Sequence, residues 1–164
     1  MINKKHIILF NFLLCVMLIF SGCTFNVSTD HSITSNSEDY LVSQTVKNGL
    51  EKGFNFSYET TTGMEGHEYF TKEFNAKNHM TKEYQNLIID TRKREKMIST
   101  MEIKEVNNIT VKDNSANATA IFHHIFKGKS KKWNFNKNGE IQVELIKINN
   151  KWLINNIQIY TYKS

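Results

Sequence analysis

Proline is absent from this 164-residue chain, and arginine nearly so, since Arg92 and Arg94 are the only two. Beside abundant lysine and asparagine, that bias is the mark of an AT-rich genome and points to a low-GC Gram-positive source. Cysteine is equally scarce, with only Cys15 and Cys23, which excludes a multi-bridge disulfide scaffold. The seven glycines are scattered singly, so neither a glycine-rich phosphate loop nor a nucleophile elbow can be built. No apolar run reaches the roughly 20 residues that span a hydrocarbon core, and the longest, Ile7 to Phe20, is interrupted by Asn11. Neither sign of charge dominates. The formal net charge of +5 is too weak and too scattered for a nucleic-acid interface.

The N-terminus does carry a pattern. Lys4 and Lys5, the apolar stretch from Ile7 to Phe20 and the small pair Ser21-Gly22 make the three parts of a secretory signal. The run Leu18-Ile19-Phe20-Ser21-Gly22-Cys23 resembles the lipobox of bacterial lipoproteins, with Phe20 where leucine most often stands. That resemblance implies acylation of Cys23 on sulfur and cleavage before it, so that residues 1–22 are signal peptide. The mature protein then sits on the extracytoplasmic face of the cell membrane, held by a lipid anchor of more than one chain, which is effectively stable. With Cys15 removed and Cys23 modified, no thiol is left for covalent catalysis and no disulfide is possible. Loss of Lys4 and Lys5 brings the charge to about +3, which suits residence beside anionic lipid or wall polymer.

Residues 23–37, rich in Ser, Thr and Asn, read as a flexible tether. One domain of roughly 125 residues follows, 38–164. Its first half has helical period. Ser37 precedes Glu38-Asp39, and Val42, Val46, Leu50 and Phe54 recur every four residues up to Gly49 and Gly53 in the last turns. Asn55 to Gly66 is loop-like. His67 to Phe74 predicts a short helix, and Thr81 caps a third that carries Tyr84, Leu87, Ile88 and Thr91 on one face into the charged Arg92-Lys93-Arg94.

From Met97 the period becomes two. Met97, Ser99, Met101 and Ile103 alternate with polar partners, Asn107-Asn108 predicts a bulge, and Asp113-Asn114-Ser115 predicts a turn. Ala118, Ala120, Phe122, His124 and Phe126 share one side of the next strand. Lys127 to Lys132 reads as a basic hairpin loop, after which Trp133 begins a strand. Asn138-Gly139 is the strongest hairpin-turn signal in the chain, followed by strands over Glu140 to Ile148 and Lys151 to Tyr160.

Helices followed by a meander of long strands resemble the nuclear transport factor 2-like superfamily, a cone-shaped α+β fold. The similarity covers about Glu38 to Tyr160 and is clearest in Val106 to Ala120 and Val143 to Ile157, where a tryptophan follows the last turn. It implies N-terminal helices packed on a curved antiparallel sheet, with that tryptophan against the helices. The superfamily includes enzymes, ligand carriers and scaffolds, often paired through the outer sheet face. Among its surface-anchored members are assembly proteins of Gram-positive conjugation and type IV secretion machines, with which this chain is compatible without sharing a diagnostic motif.

No constellation converges on catalysis or metal. His123 and His124 are adjacent on a strand and must face opposite sides, so only one can look into the cone; with Phe122 it is a candidate cavity residue. As an acid-base catalyst it would require a buried carboxylate in reach. His67-Glu68 lacks the second histidine one turn on that a zinc helix needs, and His79 is too distant. Lys127, Lys129, Lys131 and Lys132 with Trp133 form a candidate contact for a protein partner or an anionic surface. Arg92-Lys93-Arg94 reads as a solvated helix end. The aromatics Phe54, Phe56, Tyr58, Tyr69, Phe70 and Phe74 are expected mostly in the core; lining an open cone mouth instead, they would bind an apolar ligand. The expected function is a non-enzymatic binding or assembly module of a cell-surface complex, such as a secretion or conjugation machine, with no cofactor, metal or nucleic acid. A carrier of a small apolar ligand is the alternative.

Overall fold

Ser37 opens the first helix by accepting the Tyr40 N–H on its hydroxyl at 3.1 Å, which satisfies one of the donors that a helix start leaves without a partner. The computed structural model describes residues 37–78 and 81–161. Cys23, the rest of the proposed signal and tether before Ser37, and His79 lie outside them.

Helix α1 runs Glu38–Phe54 and buries Val42, Val46 and Leu50 completely. Gly49 and Gly53 do not terminate it early; they let neighbours approach. A Cβ on Gly49 would stand 2.8 Å from Ile154 Cδ1 and 2.9 Å from Tyr69 Cβ. The segment predicted as one short helix from His67 is divided. A 3₁₀ turn, His67–Tyr69, is followed by extended backbone at Phe70, and helix α2 begins only at Lys72, running to Lys77 under a Thr71 cap. Phe70 bridges to Ile154 of the last strand and the Thr71 N–H donates to the Ile154 carbonyl at 2.9 Å, so tertiary pairing interrupts the local helical pattern. Helix α3, Lys82–Arg94, is capped by Thr81 as expected.

Five strands follow the order β1-β2-β3-β4-β5, all antiparallel: β1 Phe56–Ser57, β2 Ile98–Lys112, β3 Ser115–Lys127, β4 Phe135–Ile148 and β5 Lys151–Thr161. The tiny β1, within a stretch read as loop, pairs with Ile98 and Ser99. The predicted break at Asn107-Asn108 is present as a register shift between Asn107 and Thr110, with Asn108 at φ 51°. The turn at Asp113 is present too, and Asn149-Asn150, at φ 50° and 61°, closes the last hairpin with the two left-handed residues such a tight turn requires.

Asn138-Gly139 is not a turn. Asn138 pairs with His123 and Gly139 with Phe122 in an unbroken β4, and neither has positive φ. The long β3 supplies a partner for every residue from Phe135 to Ile146, and that ladder outweighs a two-residue local preference; the reversal occurs in the loop after Lys127.

On the concave face Met101, Ile103, Ala116, Ala118, Ala120, Phe122, Ile141, Val143, Leu145, Trp152 and Ile154 meet α1. The small alanine row on β3 leaves room for the helix. Trp152, 3% exposed, donates its indole N–H to Glu38 at 2.7 Å, and Lys147 pairs with the same carboxylate at 2.6 Å, so the last hairpin is pinned to the start of α1. Two α1-end side chains stand in for a strand along β2: Asn55 pairs with both backbone groups of Met101, and Glu51 accepts the Ile103 N–H at 2.9 Å.

Thr71 joins helix, bridge and sheet. It is fully buried, accepts the Phe74 N–H at 3.0 Å and donates to Asn155 Oδ1 at 3.0 Å. Thr71→Val keeps the shape but removes the cap and orphans the Asn155 acceptor, which costs about 1 to 3 kcal/mol. A lowered urea midpoint at unchanged slope is expected, with Thr71→Ser much closer to wild type; equal losses for Val and Ser would mean that the methyl, not the hydroxyl, is what matters.

Candidate functional site

The packed interior stops short of one end of the sheet. There the concave rows are Met101-His124-Lys137 and Ser99-Phe126-Phe135, read across β2, β3 and β4. Over them stand Phe54 from the end of α1, Phe56 from β1, and α3, with Trp133 from the β3–β4 loop at the side. Ser99, His124, Phe126 and Phe135 of these rows, with Phe54, Phe56, Trp133 and α3, line an open cleft of 560 Å³, within the range of small-ligand sites. The apolar face expected on α3 exists and borders this cleft through Tyr84, Leu87 and Ile88, but α3 has no buried residue and Leu87 is 59% exposed.

His124 lies at the floor. Its Nε2 is 2.8 Å from Ser99 Oγ, and Phe54, Phe122, Phe126 and Phe135 meet its ring edge-on at 5.1 to 6.4 Å. Burial among these rings, with the charge of His123 second, pushes its pKa below the ordinary histidine value, which favours the neutral ring. Its hydrogen-bond partner is a hydroxyl, not a carboxylate. His123 faces the other side and meets Asn136 Oδ1 at 2.6 Å. The opposed placement read from the sequence is therefore observed. Phe122 belongs to the core, 3% exposed, and forms none of the cleft wall.

Arg92 and Glu65 support the wall. The arginine is not a solvated helix end: its side chain is 16% exposed, it lies 3.5 Å over the Phe56 ring, and its Nη1 donates to Glu65 Oε2 and Thr61 Oγ1, each at 2.7 Å. Arg94, 65% exposed, does stand at a solvated helix end. Glu65 also accepts the Thr61 hydroxyl at 2.7 Å and the N–H groups of Thr62 and Gly63 at 2.7 and 3.2 Å. Burial alone would raise its pKa, yet the hydrogen bonds from Thr61, Arg92 and the backbone overrule it and hold the carboxyl at about 2. The loop between β1 and the 3₁₀ turn is thereby tied to α3. Sequence reasoning missed Glu65. The available signal was a rare arginine where lysine is the default, because only a planar guanidinium can stack on a ring and bond a carboxylate together.

Lys127, Lys129, Lys131 and Lys132 are exposed on the loop beside the cleft, with Trp133 half-buried at its base against Phe126. The six helical-half aromatics are half-buried rather than fully in the core. Phe54 and Phe56 line the cleft, while Phe70 and Phe74, stacked at 4.8 Å, line a smaller cavity of 230 Å³ with His67 on the other side of Phe54. Among the described residues no three His, Cys, Asp or Glu side chains converge as a metal site, and no helix is long and apolar enough to cross a membrane.

No protein-family model matches this chain, and no curated protein matches it in sequence. In structure it is similar to an IcmL-like type IV secretion system protein of Legionella pneumophila, at 9% identity and a TM-score of 0.55, over 75% of this chain and 92% of that one. It is also similar to the periplasmic domain of DotI, at 13% identity and a TM-score of 0.51, over 75% and 95%. Identities this low speak for architecture alone, and the architecture is the one expected: helices packed on a curved antiparallel sheet, the nuclear transport factor 2-like α+β fold.

Proposed function

We propose that this protein is a lipid-anchored, extracytoplasmic, non-enzymatic module of a multiprotein secretion or conjugation complex at the cell surface. The observation that carries the reading is the architecture shared with an IcmL-like type IV secretion system protein over 92% of that chain, and with the periplasmic domain of DotI over 95% of that one. Two features support it. Apolar side chains pack the concave face of the sheet against α1, and His124 beyond them has a serine for partner, not the carboxylate an acid-base pair would need. In this reading residues 1–22 are signal peptide, Cys23 carries the lipid, 23–37 lift the domain from the membrane, and the loop of Lys129, Lys131 and Lys132 touches the partner.

Crosslinking and pull-down from intact cells test it, using the tagged wild type, Cys23→Ala, and a variant with Lys129, Lys131 and Lys132 changed to Ser. Co-purification of a defined membrane complex is expected from wild type and lost with Cys23→Ala, with the lysine variant retaining the membrane but releasing the partner. Recovery of the wild-type protein alone, at normal abundance, overturns the assembly reading. The aromatic cleft favours a second reading, carriage of a small apolar ligand, which is compatible with the first.

A further inference from the structure

Three properties of the cleft narrow what it can hold. It leaves apolar surface in water: the α3 face that an amphipathic helix normally buries stands over open space, with Leu87 59% exposed. Its polar equipment is meagre. Ser99 and His124 satisfy each other, and the remaining buried donor, the Trp133 indole N–H, has no partner. A peptide laid along such a wall would bring many backbone amides to few polar partners, whereas a hydrocarbon chain brings none.

The third property is charge. Three aromatic rings of the wall each carry a cation: Arg92 over Phe56 at 3.5 Å, Lys132 over Trp133 at 4.9 Å and Lys137 over Phe135 at 5.9 Å. Arg92 is engaged by Glu65. Lys132 and Lys137 make no ion pair among the described residues, and strand pairing sets Lys137 directly opposite His124, on the concave side. Lys129 and Lys131 on the same loop as Lys132, and Lys127 at the end of β3, add to the positive field. An apolar trough with unpaired ammonium groups at its rim complements a ligand that is apolar along its length and anionic at one end.

We propose that the cleft binds a free single-chain anionic amphiphile of the fatty-acid type, its hydrocarbon against Leu87, Phe126 and Phe135 and its carboxylate at Lys132 and Lys137. The inference rests on the carrier reading and names its ligand class. It does not depend on the assembly reading.

The chain's two tryptophans make the test positional, since Trp133 borders the cleft and Trp152 is buried against α1. The full chain is placed in phosphatidylcholine vesicles and titrated with 9,10-dibromostearate, whose bromines quench only indoles they approach. Saturable quenching is expected, absent in Trp133→Phe and in Leu87→Glu, an exposed position where a charge is tolerated by the fold. Lys132→Glu with Lys137→Glu should weaken binding about tenfold, as should replacing the carboxylate by the neutral dibromostearyl alcohol. Equal binding of acid and alcohol overturns the anionic class and leaves a carrier. No saturable quenching by either overturns both. Quenching by brominated phosphatidylglycerol in the vesicle, without added fatty acid, overturns the free amphiphile in favour of membrane contact.

Discussion

Replacing Arg92 with methionine is expected to cost the domain up to about 3 kcal/mol at pH 7, the low end of what removing one partner of a buried ion pair costs, because this pair is partly exposed. The size comes from what is left behind. Glu65 is 15% exposed, and without the guanidinium its carboxylate keeps the Thr61 and Thr62 hydroxyls and the loop N–H groups, all neutral donors. The cation over the Phe56 ring is lost as well. Urea unfolding of wild type and variant measures the difference, and a loss under about 1 kcal/mol would mean that the pair behaves as an ordinary surface contact.

The pH dependence supplies a sharper check. Glu65 has a folded pKa of about 2 against an ordinary 4.5, so its contribution is fully present above pH 4.5 and is lost as pH falls through 2. That shift corresponds to at most about 3 kcal/mol. In Arg92→Met the folded pKa moves up, so the gap between the two proteins should be widest at neutral pH and close between pH 4.5 and 2. Glu65→Gln should flatten the same acid limb, and a gap independent of pH would assign the destabilisation to lost packing on Phe56.

Gly66→Ala is expected to be at least as damaging, at roughly 3 kcal/mol or more, which for a domain of this size lowers Tm by about 10 °C or more. Gly66 has φ +69°, and a Cβ there would lie 2.5 Å from Gly53 N, 2.8 Å from Gly53 Cα and 3.0 Å from the Lys52 carbonyl carbon. All three are backbone atoms of α1, which cannot rotate away. The left-handed backbone alone accounts for about 1 kcal/mol; the rest is the collision. Gly63→Ala separates the two, because Gly63 has φ +72° but its nearest neighbours stand at 3.3 Å, so about 1 kcal/mol is expected there. Similar losses at both positions would place the cost in backbone conformation and remove the case for close approach to α1.

How legible these features were depended on range. The Ser37 and Thr81 caps, the alternation of Ser99, Met101 and Ile103, and the Asn149-Asn150 turn are local, so side chains within three or four residues announce them. Asn138-Gly139 shows the converse. Its turn preference is genuine but small, and a long-range ladder with β3 overrode it. The aromatics of the helical half misled for a related reason: periodicity says which face is apolar, not whether anything comes to cover it. Phe54, Phe56 and Leu87 have the pattern of core residues and stand around open space. Glu65 and Arg92 lie in segments with no shared periodicity, and only the folded chain brings them to 2.7 Å.

By itself the sequence determined that a helical half precedes a meander of strands, the opposed directions of His123 and His124, and a mildly basic domain with no cysteine after Cys23. Each of these follows from composition or from the 3.6- and two-residue periods of the backbone. The tertiary structure alone decided that the sheet outruns the helix covering it, and so that a cleft exists, that a rare arginine packs against Glu65 and Phe56, and that Lys132 and Lys137 stand at an apolar rim. Those facts depend on pairings between residues far apart in the chain, where side-chain volume and charge act through space and leave no local trace.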